Sequence, residues 1–402
     1  MASVSPNSPS AVPARTLLGA VFLLGALLSL LGSVLPVWGY HRSEAFLDAG
    51  FHFLAMAVGF LVGNLVCALG SVRHRRLFLG PVPGCFFSIL GVSLFAVLPP
   101  PFPIYWQLGG ALCIGLAIGA LSLMVFHHTG FVYRFHTSAA FQVSGLVALL
   151  GVSATPLGVA LVAIPTGSLA LLALAVVPLA IALPALIGRS SRERRELPIA
   201  AQPALSLREA LEDFRSPTAI LLALLLFFQL GSELALLGWL PVFLIQRLGV
   251  SPAVAVNALA AFGFALLVGR TAAQALRERA RRNRVQLGGL ALAALGCLML
   301  LSTNNLFGAF LGIALSGTGL APVFPVALER MAQRFPYYHP GVMNAMFAVG
   351  FLGGMLAPFS LGYFAGEFGI RIIMGLPIAG SLVVAGLLLL LWLESRLVGS
   401  AQ

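Results

Sequence analysis

The chain alternates between long runs of apolar residues and short polar breaks. Each run is about 20 residues long, the length at which an α-helix crosses the hydrocarbon core of a bilayer. Helices are required there because lipid offers the backbone no hydrogen-bond partners. The runs fall near 16–40, 46–70, 77–99, 103–126, 138–163, 166–188, 217–246, 252–275, 285–303, 305–328, 341–365 and 371–393, which predicts twelve spans. The first run, Thr16–Trp38, is longer than a signal-peptide core and reads as a retained span.

Composition supports lipid as the main solvent. Of 402 residues, 59% are hydrophobic and only 9% charged, against roughly 25% charged in a soluble domain. The net charge of +11 would suggest nucleic-acid binding if it were spread over one face. All 23 basic residues are Arg, and they cluster in the breaks between apolar runs, the pattern of cytoplasmic membrane loops. With the N-terminus inside, the outward loops carry only Arg42, Arg247 and Arg371. Both termini are therefore expected in the cytoplasm, and the absence of Lys, as from a GC-rich genome, points to a bacterial inner membrane.

The Ser- and Pro-rich tail 1–15 reads as disordered. A polar stretch at 189–216 reads as a cytoplasmic linker with a short surface helix at 207–213. It separates six spans in 16–188 from six in 217–402. Cys67, Cys85, Cys113 and Cys297 sit inside apolar runs without metal-ligand spacing, so neither a metal nor a cofactor is expected. No Gly-x-x-x-x-Gly-Lys-Ser/Thr run exists, which excludes ATP-driven transport by this chain alone.

The two halves repeat one another. Leu35-Pro36-Val37 recurs as Leu240-Pro241-Val242, and Arg73, Arg75 and Arg76 recur as Arg279, Arg281 and Arg282. Gly115-Leu-Ala117 recurs as Gly319-Leu-Ala321, and Gln142, Gly151 and Pro156 recur as Asn344, Gly353 and Pro358. The matches keep their order at a nearly constant offset of about 200 residues, which spans six helices and so preserves orientation. With Gly63 through the basic cluster ending at Arg76, and Gly269-Arg270 before the second cluster, this pattern resembles the major facilitator superfamily over almost the whole chain. The acidic residue of that family's loop motif is absent. Ser232–Phe243 and Gly317–Val326 resemble spans seven and ten of the fucose/glucose/galactose–proton symporter branch. Spans one and four lack the acidic residues of that branch. The resemblance implies an all-α membrane fold of two pseudo-symmetric six-helix bundles, with Arg73, Arg75, Arg76, Arg270 and Arg279 at a cytoplasmic gate.

An ionisable side chain at membrane depth is costly and marks a functional candidate. Glu233 is the one carboxylate well inside a predicted span, about 24 Å from its start. Gln229 lies one turn earlier on the same face. Glu233 either exchanges a proton and binds substrate, or serves as a helix-packing carboxyl. Trp239 follows, close to Pro241, which is expected to break the helix. It would stack on a sugar ring, close an outer gate, or join the interfacial aromatic belt, as Tyr105 and Trp106 are expected to do. Asp48 and His52, at i and i+4, form a possible carboxylate–imidazole relay or a solvated pair. His127 and His128 do not share a helix face and suggest no metal site. Gln142, Asn344 and Asn257 are polar candidates for substrate contact, an inner gate, or simple interhelical bonds.

The expected activity is secondary transport of a small polar solute such as a sugar, by alternating access around a chamber between the bundles. A proton is the expected coupling ion, and a monomer in the bilayer the expected state. Efflux, lipid transport and uniport are alternatives within transport; a non-transporting receptor or scaffold is the alternative outside it. An enzyme would need a cluster of acid–base residues at one depth, and Glu233 stands alone.

Overall fold

The computed structural model describes residues 14–42, 45–133, 137–192, 216–276, 282–334 and 340–399. The expected tail and most of the linker, including its surface helix, lie outside the described residues. Twelve helices stand in the order of the expected spans: among the described residues ten are long and apolar enough to cross a membrane, and two shorter apolar ones, Val82–Val97 and Ser168–Pro184, take the third and sixth places. The twelve are α1 Ala14–Val37, α2 Phe46–Arg73, α3 Val82–Val97, α4 Ile104–Tyr133, α5 Thr137–Gly158, α6 Val176–Arg192, α7 Pro217–Leu248, α8 Pro252–Leu276, α9 Arg282–Ser302, α10 Leu306–Leu320, α11 Pro340–Phe368 and α12 Ile372–Gly399. The chain is a multi-pass membrane protein. Because the number of spans is even, α1 begins and α12 ends at the same end of the molecule. We call this the terminal end, and its opposite the far end.

Prolines shape the departures from regular helix. Pro165 cannot return a bond to Leu161, and α5 widens into a π turn at Val159–Ala163 before the short helix Ile164–Thr166. Gly167 then takes φ +95°, which favours glycine, and the sixth span enters as the 3-10 segment Ser168–Ala175 before α6. The third span is shorter than expected, because the polar stretch before it forms a separate turn of helix, Arg75–Phe78. In span ten, Pro322 and Pro325 have no N–H to return to Thr318 and Ala321. The helix breaks there and resumes as Val323–Arg334.

Pro241 behaves differently from expectation: α7 runs through it unbroken to Leu248. Ser216 caps its start by accepting from the Ala219 N–H at 3.3 Å, and Gly249 closes it at φ +65°. The carbonyl freed by Pro241 is that of Leu237. Gly32 of α1 packs directly on it: a Cβ at Gly32 would lie 1.9 Å from the Leu237 oxygen. Close approach of α1 to α7 therefore requires glycine here.

Helix neighbours follow the repeat. α1 packs on α5 as α7 packs on α11, and α2 on α4 as α8 on α10. α3 lies on α4 as α9 lies on α10. Between the bundles, α2 meets α11 and α8 meets α5, a pair related by the same exchange of halves, while α1 meets α7. The result is two pseudo-symmetric six-helix bundles joined along a seam. Large apolar side chains such as Leu65, Leu161 and Phe364 are exposed on the outside, as lipid-facing positions require.

Candidate functional site

Gln229 and Glu233 lie on the buried face of α7, one turn apart. Gln229 Nε2 donates to Glu233 Oε1 at 2.8 Å and to the Leu320 carbonyl at 2.9 Å. Leu320 is the last residue of α10 before its proline break, so the amide ties α7 to that break. Gln229 Oε1 is buried and accepts nothing. Glu233 is 4% exposed and Arg270, on α8, 7%. Each lies within electrostatic reach of the other, without a direct ion pair. Arg270 Nη1 donates across the seam to the Gly145 carbonyl of α5 at 3.2 Å. Its guanidinium carbon sits 4.8 Å from the centre of the Phe324 ring, and its Nε is buried without a partner.

The seam is sealed on the terminal side of this group. Asn64 of α2 and Asn344 of α11 exchange amide hydrogen bonds at 3.1 and 2.9 Å. Phe126 of α4 stacks on Phe347 of α11 at 4.1 Å, Phe324 leans on Phe347 at 5.5 Å, and Phe60 meets Phe351 at 5.5 Å. Asn64 was not among the residues singled out from sequence. The repeat held the signal: Gly63-Asn64 answers Gly269-Arg270, so the neutral Asn64–Asn344 bridge is the pseudo-symmetric counterpart of the charged Arg270 bridge.

The far side is sealed as well. Trp239 is fully buried and donates from Nε1 to the Pro358 carbonyl of α11 at 2.8 Å. Phe46 and Phe53 of α2 flank it at 6.2 and 6.1 Å. Trp239 is thus a seam residue and not part of an interfacial belt, whereas Tyr105 and Trp106 are exposed where a belt would run. Gln246 Nε2 reaches the His41 carbonyl at 3.2 Å and joins α7 to the turn between α1 and α2.

Asp48 and His52 do not form a side-chain relay. His52 is fully buried and its Nδ1 bonds the backbone carbonyl of Asp48 at 2.8 Å, while the Asp48 side chain is exposed. Spacing placed the two on one face, but the imidazole meets the nearer carbonyl first. His52 is packed with Trp38 and Tyr40 at 5.5 and 5.7 Å. The Tyr40 hydroxyl donates to Gln107 Oε1 at 3.3 Å. Burial, then the Asp48 charge, pushes the Tyr40 phenol up to about 12. That folded value lies above the ordinary one near 10. Its contribution to stability is therefore complete below about pH 10 and is lost as pH rises through about 12.

Gln142 lines a slot of about 10 Å³ with Ala273, Gln274, Pro325 and Val326, one turn from Arg270 on the terminal side. Asn257 is exposed on α8 and does not line the sealed seam. For Arg73, Arg75 and Arg76 the backbone alone is described, and Arg279 lies outside the described residues. A chamber between the bundles was expected; among the described residues Glu233, Trp239 and Arg270 at the seam are buried. A cavity of about 80 Å³ lies instead inside the first bundle, among residues such as Phe22, Leu27, Ser88 and Thr155. The physical reason is the state of the molecule: bridges and aromatic contacts close both ends of the seam at once. Among the described residues no group of three or more His, Cys, Asp or Glu side chains could hold a metal ion.

The profile of the Major Facilitator Superfamily matches residues 139–358. An uncharacterised transporter of this type from Yersinia pestis is 26% identical over 141 residues. The match covers 35% of this chain and only 37% of that relative's length. Among solved structures, a bacterial homologue of the human lysosomal transporter Spinster, inward-facing and unoccupied, superposes with a TM-score of 0.69 at 17% identity. It covers 95% of this chain and 98% of its own. The E. coli fucose:proton symporter gives 0.61 at 16%, and a D-xylose–proton symporter 0.66 at 16%; each covers 93% of this chain and 97% of its own. At these identities the likeness is one of fold.

Proposed function

The chain belongs to the Major Facilitator Superfamily, and from that premise we propose that it is a secondary transporter of a small polar solute, coupled to protons through Glu233. The observation that carries this reading is the buried Gln229–Glu233 pair at the seam. A carboxyl kept from water there is costly when charged, so its retention points to use. The unpaired Gln229 Oε1 beside it asks for a donor, which a solute hydroxyl or amide would supply. Gln142, Asn344 and Trp239 then belong to the polar and aromatic surfaces that the solute meets as the seam opens. Alternating access follows from two bundles that close on both sides of this group and part at one side at a time.

The sugar–proton symporters of the same fold favour a neutral polar solute such as a monosaccharide, with uptake as the direction. Arginine placement favours a cytoplasmic terminal end. The test is uptake of radiolabelled monosaccharides into proteoliposomes under an imposed inward proton gradient. Wild-type protein is expected to concentrate a solute only with the gradient. Glu233→Gln is expected to lose gradient-driven accumulation while keeping solute exchange. Equal accumulation by Glu233→Gln would remove the proton role.

A further inference from the structure

We propose that the cavity inside the first bundle binds the end of a bilayer lipid's acyl chain, which completes a helix contact that the second bundle makes for itself. The inference is independent of the proposed proton role of Glu233.

The repeat supplies the comparison. In the second bundle the last span, α12, is one continuous helix that lies along α7 and α9. Gly380 brings it so close to α7 that a Cβ there would lie 2.2 Å from Ser232 Oγ. Its counterpart, the sixth span, begins as the 3-10 segment Ser168–Ala175, after the π turn at Val159–Ala163 and the left-handed Gly167. This span lies mainly along α3. It approaches α1 near the start of that helix, where a Cβ at Gly19 would lie 3.1 Å from Ile181 Cγ1. Farther along, Leu174 and Val177 stand off from α1. The cavity occupies the gap between α1, α3, α5 and the sixth span.

The walls select an apolar occupant. Apart from Ser88 and Thr155, every lining side chain is apolar. The Ser88 hydroxyl donates to the Gly84 carbonyl at 2.7 Å, and the Thr155 hydroxyl to the Gly151 carbonyl at 3.2 Å. Neither has a proton left for a guest, so a sugar or a water would forfeit hydrogen bonds on entering. Depth points to the same chemistry. Phe22 and Leu30 bound the cavity along α1, about 12 and about 24 Å from the start of that helix and astride its middle. This is the level of the hydrocarbon core. Ala154 on the rim is exposed, as are Leu157 and Leu161 beyond it and Val176 opposite. At that depth the outer surface of a multi-pass protein meets lipid chains. A volume of about 80 Å³ holds the last few carbons of a chain, since one water takes about 30 Å³ of the liquid. A chain end seated there gives α1 the dispersion contacts that α12 gives α7.

The experiment uses the full chain in phosphatidylcholine nanodiscs in which part of the lipid carries a diazirine at one chain end. Irradiation and peptide mapping then read where that end resides. Adducts are expected on Leu27 and Val92, which are buried cavity walls, as well as on Leu61, exposed on α2. Ala26→Val on the wall and Ala154→Leu on the rim are each expected to lose the Leu27 and Val92 adducts and to keep the Leu61 adduct. The two substitutions sit on different helices, so misfolding of one variant leaves the other to decide. Adducts confined to exposed residues such as Leu61, or wall adducts equal in wild type and both variants, overturn the proposal. Wall adducts from a free adamantane-type diazirine, with none from the lipid, would assign the cavity to a small apolar solute and overturn it as well.

Discussion

Asn64 and Asn344 each give and take one amide hydrogen bond across the seam. Both residues are half-buried, so removing one partner costs about 0.5–1.5 kcal/mol. Asn64→Ala and Asn344→Ala should therefore each lower stability, and the double variant should cost less than their sum. A double-mutant cycle read by thermal unfolding in detergent should give a coupling of about 0.5–3 kcal/mol; additive effects would mean that the bridge is not populated. At this scale the sequence was legible in part. Glu233 and Gln229 stood out because a carboxyl and an amide at that depth are rare, and the structure brings them together. The partner of His52 was not legible, since helical spacing fixes a face but not which oxygen on it an imidazole will reach. Asn64 hid because a lone amide near a helix end looks like any interfacial residue until its repeat counterpart is read.

Glycines set how closely helices approach, and two of them separate bundle packing from seam packing. A Cβ at Gly25 would lie 1.8 Å from the Ala148 carbonyl within the first bundle, and one at Gly32 would lie 1.9 Å from Leu237 across the seam. Overpacking of this kind costs about 1–3 kcal/mol. Gly25→Ala should lower the melting temperature whatever the state of the seam. Gly32→Ala, near the far end of α1, should leave each bundle intact and shift the protein toward forms open at the far end, measured as a longer distance between spin labels spanning the seam there. Equal far-end distances in Gly32→Ala and wild type would show that the α1–α7 contact does not hold that end closed. The spans themselves were largely legible, because length and apolar content must match a bilayer. The shape of α7 was not: Pro241 frees the Leu237 carbonyl, yet the helix continues through it, as α1, α11 and α12 continue through Pro36, Pro358 and Pro377.

The halves of the molecule are related by a six-span exchange that the sequence displayed and that the helix contacts obey. Where a chamber was expected, the described residues around Glu233 and Trp239 are buried, because a sequence encodes every state of a transporter and favours none. The structure holds a form in which Trp239 and Gln246 close the far side while Asn64, Phe126 and Arg270 close the terminal side. A rocking mechanism requires this form as an intermediate between two open ones. Electron–electron distance measurements on two spin-label pairs, one spanning the seam at each end, test this most directly across pH and added solute. The account predicts opposed changes, each end lengthening only where the other stays short, with a shared population short at both. Distances that never change, or that lengthen together at both ends, would contradict it.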